Sequence, residues 1–259
     1  MLALFSDQFD FLFLWTWFLI STRATGLLIA APGIGSQEIP ATAKMLFSFI
    51  LGFAIAISGV QATEPATAVD GVLMVVSEFL LGWAIAFIPQ LIVSSLSVSG
   101  QVISGSIGLG FANLIDPSIG QSVSILSRVQ IMVATLVFLL IDGHHVLIRA
   151  LAGFEGMPLG GFLPSFQLAD FLLVRFAASF ELGVICAAPI LVSILVAQFV
   201  LGLLTKSVPQ VNIFIISLPL TIGMGLYILA FTFPGIVQNL VDEYRLLPEL
   251  IGQLFLFRA

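Results

Sequence analysis

The chain has 259 residues, 59% of them hydrophobic and only 8% charged, with a net charge of −6, where an ordinary soluble domain carries about 25% charged residues. So few charges cannot cover a soluble globule of this length, so the chain belongs in lipid, in a hydrophobic assembly, or in both. A mean hydropathy of +1.19 excludes disorder, the lone Cys186 excludes an internal disulfide framework, and two lysines in an acidic chain leave no patch for nucleic-acid phosphates.

Residues 1–10 carry Asp7 and Asp10 and no basic residue, unlike the positive start of a secretory signal, so no cleaved signal is expected. The first apolar segment, 11–31, is rich in aromatics, contains Arg23 and stops at Pro32-Gly33; about 20 such residues at about 1.5 Å rise cross the hydrocarbon core. A second segment spans 41–60, after Lys44 has entered it and before Glu64-Pro65. The third, 71–93, carries Glu78 and Pro89; the fourth is 122–141; the fifth, 169–204, carries Glu181 and Pro189; the sixth, 211–233, holds Pro219. Eight basic residues, four of them inside the apolar segments, give the positive-inside rule little to count, although Lys206, Arg245 and Arg258 hint at a cytoplasmic tail. Residues 242–259 alternate charges with Leu246, Leu247, Leu250, Ile251, Leu254 and Phe255, the spacing of an amphipathic helix facing a membrane interface or a partner.

Residues 94–110 read SSLSVSGQVISGSIGLG, in which 10 of 17 are Ser or Gly. The stretch lacks the bulk of a lipid-facing helix, and irregular backbone at membrane depth is tolerated only where protein or a cavity surrounds it. Residues 94–121 are therefore expected to form a hairpin or re-entrant element. Composition leaves two forms open: a tightly packed helix turn, or a movable plug in which Ile107, Leu109, Phe111 and Leu114 seal a pore, with Gly108 and Gly110 letting the backbone move aside. No lysine follows the glycines at 105–110 as a phosphate loop requires.

Arg23, Glu78 and Glu181 fall inside apolar segments. A charge at mid-membrane costs about 2.5–3.5 kcal/mol on insertion scales, so such groups pair, line a watery path or face another subunit. A structural ion pair between helices is favoured here over a proton relay, which needs a chain of titratable groups. His144 and His145 follow Asp142-Gly143; neighbouring histidines diverge on a helix and no Cys or second carboxylate stands at ligand spacing, so no metal site is expected. Cys186 has neither base nor cation nearby in sequence and reads as a small buried hydrophobe. No catalytic constellation and no cofactor motif stands out, so the chain does not read as an enzyme.

Several stretches resemble the FliR/SctT family of bacterial flagellar and type III secretion export gates. These are Arg23-Ala24-Thr25-Gly26 with Ala31-Pro32 and Ile39-Pro40, Glu78 with Gly82, GLGFANLIDPSIGQ at 108–121, Asp142-Gly143-His144-His145, and above all LGLLTKSVPQVNIFIISLPLTIGMGL at 201–226, with Lys206, Pro209, Gln210, Asn212, Phe214 and Pro219. The resemblance covers nearly the whole length and is closer to the flagellar branch. It implies an all-α, polytopic membrane protein of helical hairpins that joins FliP-type and FliQ-type subunits in a closed helical ring, through which unfolded substrates are exported. It further implies a plug near the pore at about 105–117, subunit contacts through the Lys206 to Phe214 motif, and a C-terminal region near the FlhB-type switch subunit. The expected location is the bacterial inner membrane at the flagellar basal body, with the ring raised toward the periplasm. Competing classes are an ion-coupled secondary transporter, suggested by Pro-interrupted segments with carboxylates, and a scaffold that conducts nothing.

Overall fold

The computed structural model describes residues 11–35, 39–109, 124–153, 159–161, 166–207 and 213–255. Among these, eight α-helices follow in chain order: α1 (Phe11–Ala30), α2 (Ala41–Ile57), α3 (Ala68–Ile107), α4 (Ile125–Leu140), α5 (Gly143–Leu151), α6 (Phe166–Ser207), α7 (Ile213–Arg245) and α8 (Leu247–Leu254). The only extended pairing among the described residues is one isolated bridge between Ala62 and Leu159. Among the described residues, four helical stretches are long and apolar enough to cross a membrane, Phe11–Ala30, Ala68–Ile107, Gln167–Leu204 and Ser217–Leu254, and α4 with α5 makes a fifth if that broken pair counts as one.

Local chemistry accounts for the helix limits. In α1, Thr16, Ser21 and Thr25 donate to the carbonyls of Leu12, Trp17 and Ser21 at 2.7, 2.7 and 2.8 Å, so hydroxyls are carried through an apolar helix without losing backbone bonds. At the start of α3, Thr67 Oγ1 accepts from the Asp70 amide at 3.2 Å and donates to the Asp70 carboxylate at 2.8 Å, a reciprocal N-terminal cap.

The far end of α3 corrects the expectation of a hairpin beginning at residue 94. The helix runs on unbroken through Ile107, and Ser95 and Ser106 donate back to Ile92 and Val102 at 2.7 and 2.9 Å. It stops at Gly108, whose φ of +91° suits glycine; the Gly108 amide reaches Gly105 O at 3.3 Å and the Leu109 amide reaches Ser104 O at 3.0 Å, the Schellman closure. Similarly, α7 continues past the expected boundary at 233 to Arg245, with Pro219 and Pro234 inside it.

The chain divides into two compact units, one from Met1–Leu91, Phe138–Arg175 and Tyr244–Ala259, the other from Ile92–Val137 and Phe176–Glu243. In the first, α1 lies on α2: a Cβ on Gly52 would collide with Ser21, Trp17 Nε1 donates to Phe49 O at 3.0 Å, and Phe13 and Phe53 meet edge to face at 6.0 Å. The amphipathic C-terminal helix is also here. Leu247, Leu250, Ile251 and Leu254 of α8 are buried, and α8 packs on α5. Its apolar face, expected to meet a membrane interface or a partner, is instead covered by the chain itself.

In the second unit the Ser/Gly-rich end of α3 packs at three close crossings. A Cβ on Gly100 would lie 2.6 Å from Ser127 Cα of α4, a Cβ on Gly183 of α6 would lie 2.7 Å from Ser95 O, and a Cβ on Gly225 of α7 would run into the Ile107 side chain. Small residues let backbones approach where apolar burial alone cannot drive helices together in lipid. Ser127 Oγ donates to Ser97 O at 2.8 Å across the first of these contacts. Ile103, Ile107, Leu126, Ala187, Ile190 and Ile194 form the core they enclose.

Candidate functional site

The first candidate site grows from spacing on two helices. Arg23 and Gly26 are three apart on α1, Glu78 and Gly82 four apart on α3, so each charge shares a helix face with a glycine. A Cβ on Gly26 would strike Phe79 O, and a Cβ on Gly82 would strike Arg23 O. With neither Cβ present, the backbones close to contact and the charges meet between them. Arg23 Nε donates to Glu78 Oε2 at 2.5 Å, with the two side chains 1% and 0% exposed.

The remaining valences are filled from elsewhere in the same unit. Arg23 Nη1 donates to Leu151 O, the last residue of α5, at 3.2 Å. Glu78 Oε1 accepts from the Gly160 amide at 2.7 Å. Gly160 holds φ +84°, and a Cβ there would come within 2.8 Å of Thr63 Oγ1. Thr63 in turn donates from its amide and its hydroxyl to Leu159 O at 3.0 and 2.9 Å. One buried ion pair therefore ties α1, α3, the end of α5 and two connecting segments. Sequence reasoning singled out both charges but not Gly160, Leu151 or Thr63; no local spacing links these to the pair, since Leu151 lies 128 residues from Arg23 and Gly160 lies 82 from Glu78.

Glu181, the third charge of that group, does not join them. It lies exposed on α6, while its neighbour Leu182 and Cys186 are buried.

The second candidate site is the end of α3. Ile107, expected in a plug, is fully buried in the second unit's core; Thr221 Oγ1 donates to its carbonyl at 3.2 Å and Gly225 makes room for its side chain. Gly108 lies against Leu218 of α7, and Leu109 is 37% exposed. Gly110, Phe111 and Leu114 lie outside the described residues, as do Pro209, Gln210 and Asn212. Lys206 and Phe214 fall within the backbones of α6 and α7 respectively.

Comparison with known proteins identifies the family. Residues 14–247 match the family model described as bacterial export proteins, family 1. The chain is 31% identical to the flagellar biosynthetic protein FliR of Escherichia coli (strain K12) over 262 residues, covering 98% of this chain and 99% of that protein. It is 30% identical to the protein of the same name from Aquifex aeolicus (strain VF5), covering 90% of this chain and 91% of the relative. The Caulobacter vibrioides protein of that name is 31% identical, with 88% of this chain and 92% of the relative covered.

Proposed function

The chain belongs to the bacterial export proteins, family 1, and on that premise we propose that it is a core subunit of the flagellar protein export gate in the bacterial inner membrane. In this reading residues 1–259 form one export-gate domain that joins FliP-type and FliQ-type subunits in a helical ring, meets the FlhB-type switch subunit, and lines the channel for unfolded flagellar proteins.

The observation that carries the proposal is the apolar surface the chain leaves bare. Leu173, Val174, Phe176, Phe180, Phe199 and Leu195 of α6 are all more than half exposed. With 40 and 42 residues, α3 and α6 have about 60 Å of helix measured along the chain at about 1.5 Å per residue, twice the roughly 30 Å of hydrocarbon that lipid can cover. Apolar side chains beyond the lipid need protein against them. That requirement favours a ring raised toward the periplasm over a lone transporter wholly in the bilayer.

Within the gate, Leu109, Gly110, Phe111 and Leu114 act as the plug, with Ile107 and Gly108 as its anchored base. Apolar side chains close a narrow pore by dewetting, and the glycines let the backbone move aside for a polypeptide. The Lys206, Pro209, Gln210, Asn212 and Phe214 motif and the exposed Glu181 contact neighbouring subunits, whereas Arg23 and Glu78 hold the chain's own helices in place.

Co-expression with the FliP-type and FliQ-type subunits tests the proposal. A complex of fixed stoichiometry that retains the chain through gel filtration is expected. Recovery of the chain alone, with solute uptake by the chain alone in vesicles, contradicts it and returns the transporter.

A further inference from the structure

We propose that Asp142, His144 and His145, at the break between α4 and α5, form a binding site for one borderline divalent transition-metal ion, of which Zn²⁺ is the type. Neighbouring histidines diverge on a regular helix, but these two stand at the first turn of α5, and their ring centroids lie 4.2 Å apart. A ring nitrogen from each and a carboxylate oxygen of Asp142 all lie within 4.8 Å of one another. Imidazole with carboxylate is the donor set such ions take.

The separations suit a metal. Bonds of about 2.0–2.1 Å in a tetrahedral centre place ligand atoms about 3.3 Å apart. His145 Nδ1 and Asp142 Oδ1 are already 3.1 Å apart. Their side chains are 61% and 70% exposed, which leaves both room to adjust toward a ring nitrogen of the half-buried His144. The buried Nδ1 of His144 has no hydrogen-bond partner, so this imidazole is not committed to the protein through that nitrogen. Three protein ligands leave one coordination position for water.

The backbone beneath is held in an unusual state. Asp142 has φ +59°, the only positive φ outside glycine among the described residues. Gly143 has no space for a side chain, since a Cβ would enter the Phe138 ring. No side-chain cap secures the N-terminus of α5. Strained backbone of this kind collects at ligand clamps and switch regions, and a metal bound across residues 142–145 would pin the turn.

The test uses the full chain in detergent, purified through a tag without histidine and stripped with chelator, then titrated with Zn²⁺ in a calorimeter and with Co²⁺ in the visible spectrum. One ion per chain is expected, with Co²⁺ absorption of a site ligated by imidazole. Affinity should fall at least tenfold in His144→Gln and in His145→Gln, and the melting temperature should rise with Zn²⁺ in the parent chain only. Because Asn tolerates the left-handed region as Asp does, Asp142→Asn keeps the turn and should also lose affinity. Absence of binding, or equal binding by the Asp142→Asn, His144→Gln, His145→Gln triple variant, would overturn the proposal.

Discussion

Arg23 and Glu78 meet at 2.5 Å where α1 crosses α3, each side chain all but sealed from solvent. Removing one partner from such a pair leaves a buried charge without compensation, at a cost of about 3–5 kcal/mol, whereas apolar replacement of both is far better tolerated. Arg23→Ala and Glu78→Ala should each lower the unfolding midpoint in detergent sharply, and Arg23→Met with Glu78→Leu should recover much of the loss. A double variant as unstable as the singles combined would show that the two act independently.

The glycines beside the pair respond differently from glycines in open space. Gly82→Val drives a side chain into the Arg23 carbonyl, and overpacking of this kind costs about 1–3 kcal/mol or more. Gly223 of α7 has nothing near its missing Cβ, so Gly223→Ala should be neutral or stabilising by up to about 1 kcal/mol. Limited proteolysis of the two purified variants separates them: the first should be cut faster than the parent chain, the second no faster.

Ile107 and the residues beyond it should separate stability from gating. Ile107 is wholly buried, and its change to Ala should cost about 2–5 kcal/mol. Deletion of residues 110–116 removes the proposed plug and leaves the α3 closure at Gly108 intact. Ion conductance across the assembled gate should rise in the deletion, with complex yield unchanged; unchanged conductance would remove the plug from the account.

For Lys206 and Gln210 the expected effect is on assembly. Alanine at either position should reduce the fraction of chain recovered with the FliP-type and FliQ-type subunits more than it alters leak. Normal complexes that fail only in export would move both residues to the transport path.

Much of this was legible in the sequence because apolar length and isolated charges are local signals. The segment at 11–31 became α1 to within a residue, and Arg23 and Glu78 stood out as charges in apolar surroundings. What the chain hid were pairings. Nothing local says that Arg23 takes Glu78 and not Glu181; the close approach of α1 and α3, with Gly26 against Phe79 and Gly82 against Arg23, decides it. The serines and glycines of 94–107 suggested irregular backbone because their low bulk suits a turn as well as a close helix crossing; the partners Ser127, Gly183 and Gly225 are 27 to 118 residues away in sequence and make it the latter. The face of α8 looked unpartnered for the same reason, its cover being α5.

In the proposed function, export substrates pass through a channel this chain lines. That passage is tested most directly by placing a photo-crosslinking residue at 109 or 111 in the assembled gate, with a flagellar substrate arrested in transit by a folded fusion. A crosslink to the substrate is expected from these positions and none from position 69, where Val69 lies exposed at the start of α3. Intact complexes that give no substrate crosslink from 109 or 111 would contradict the proposed function.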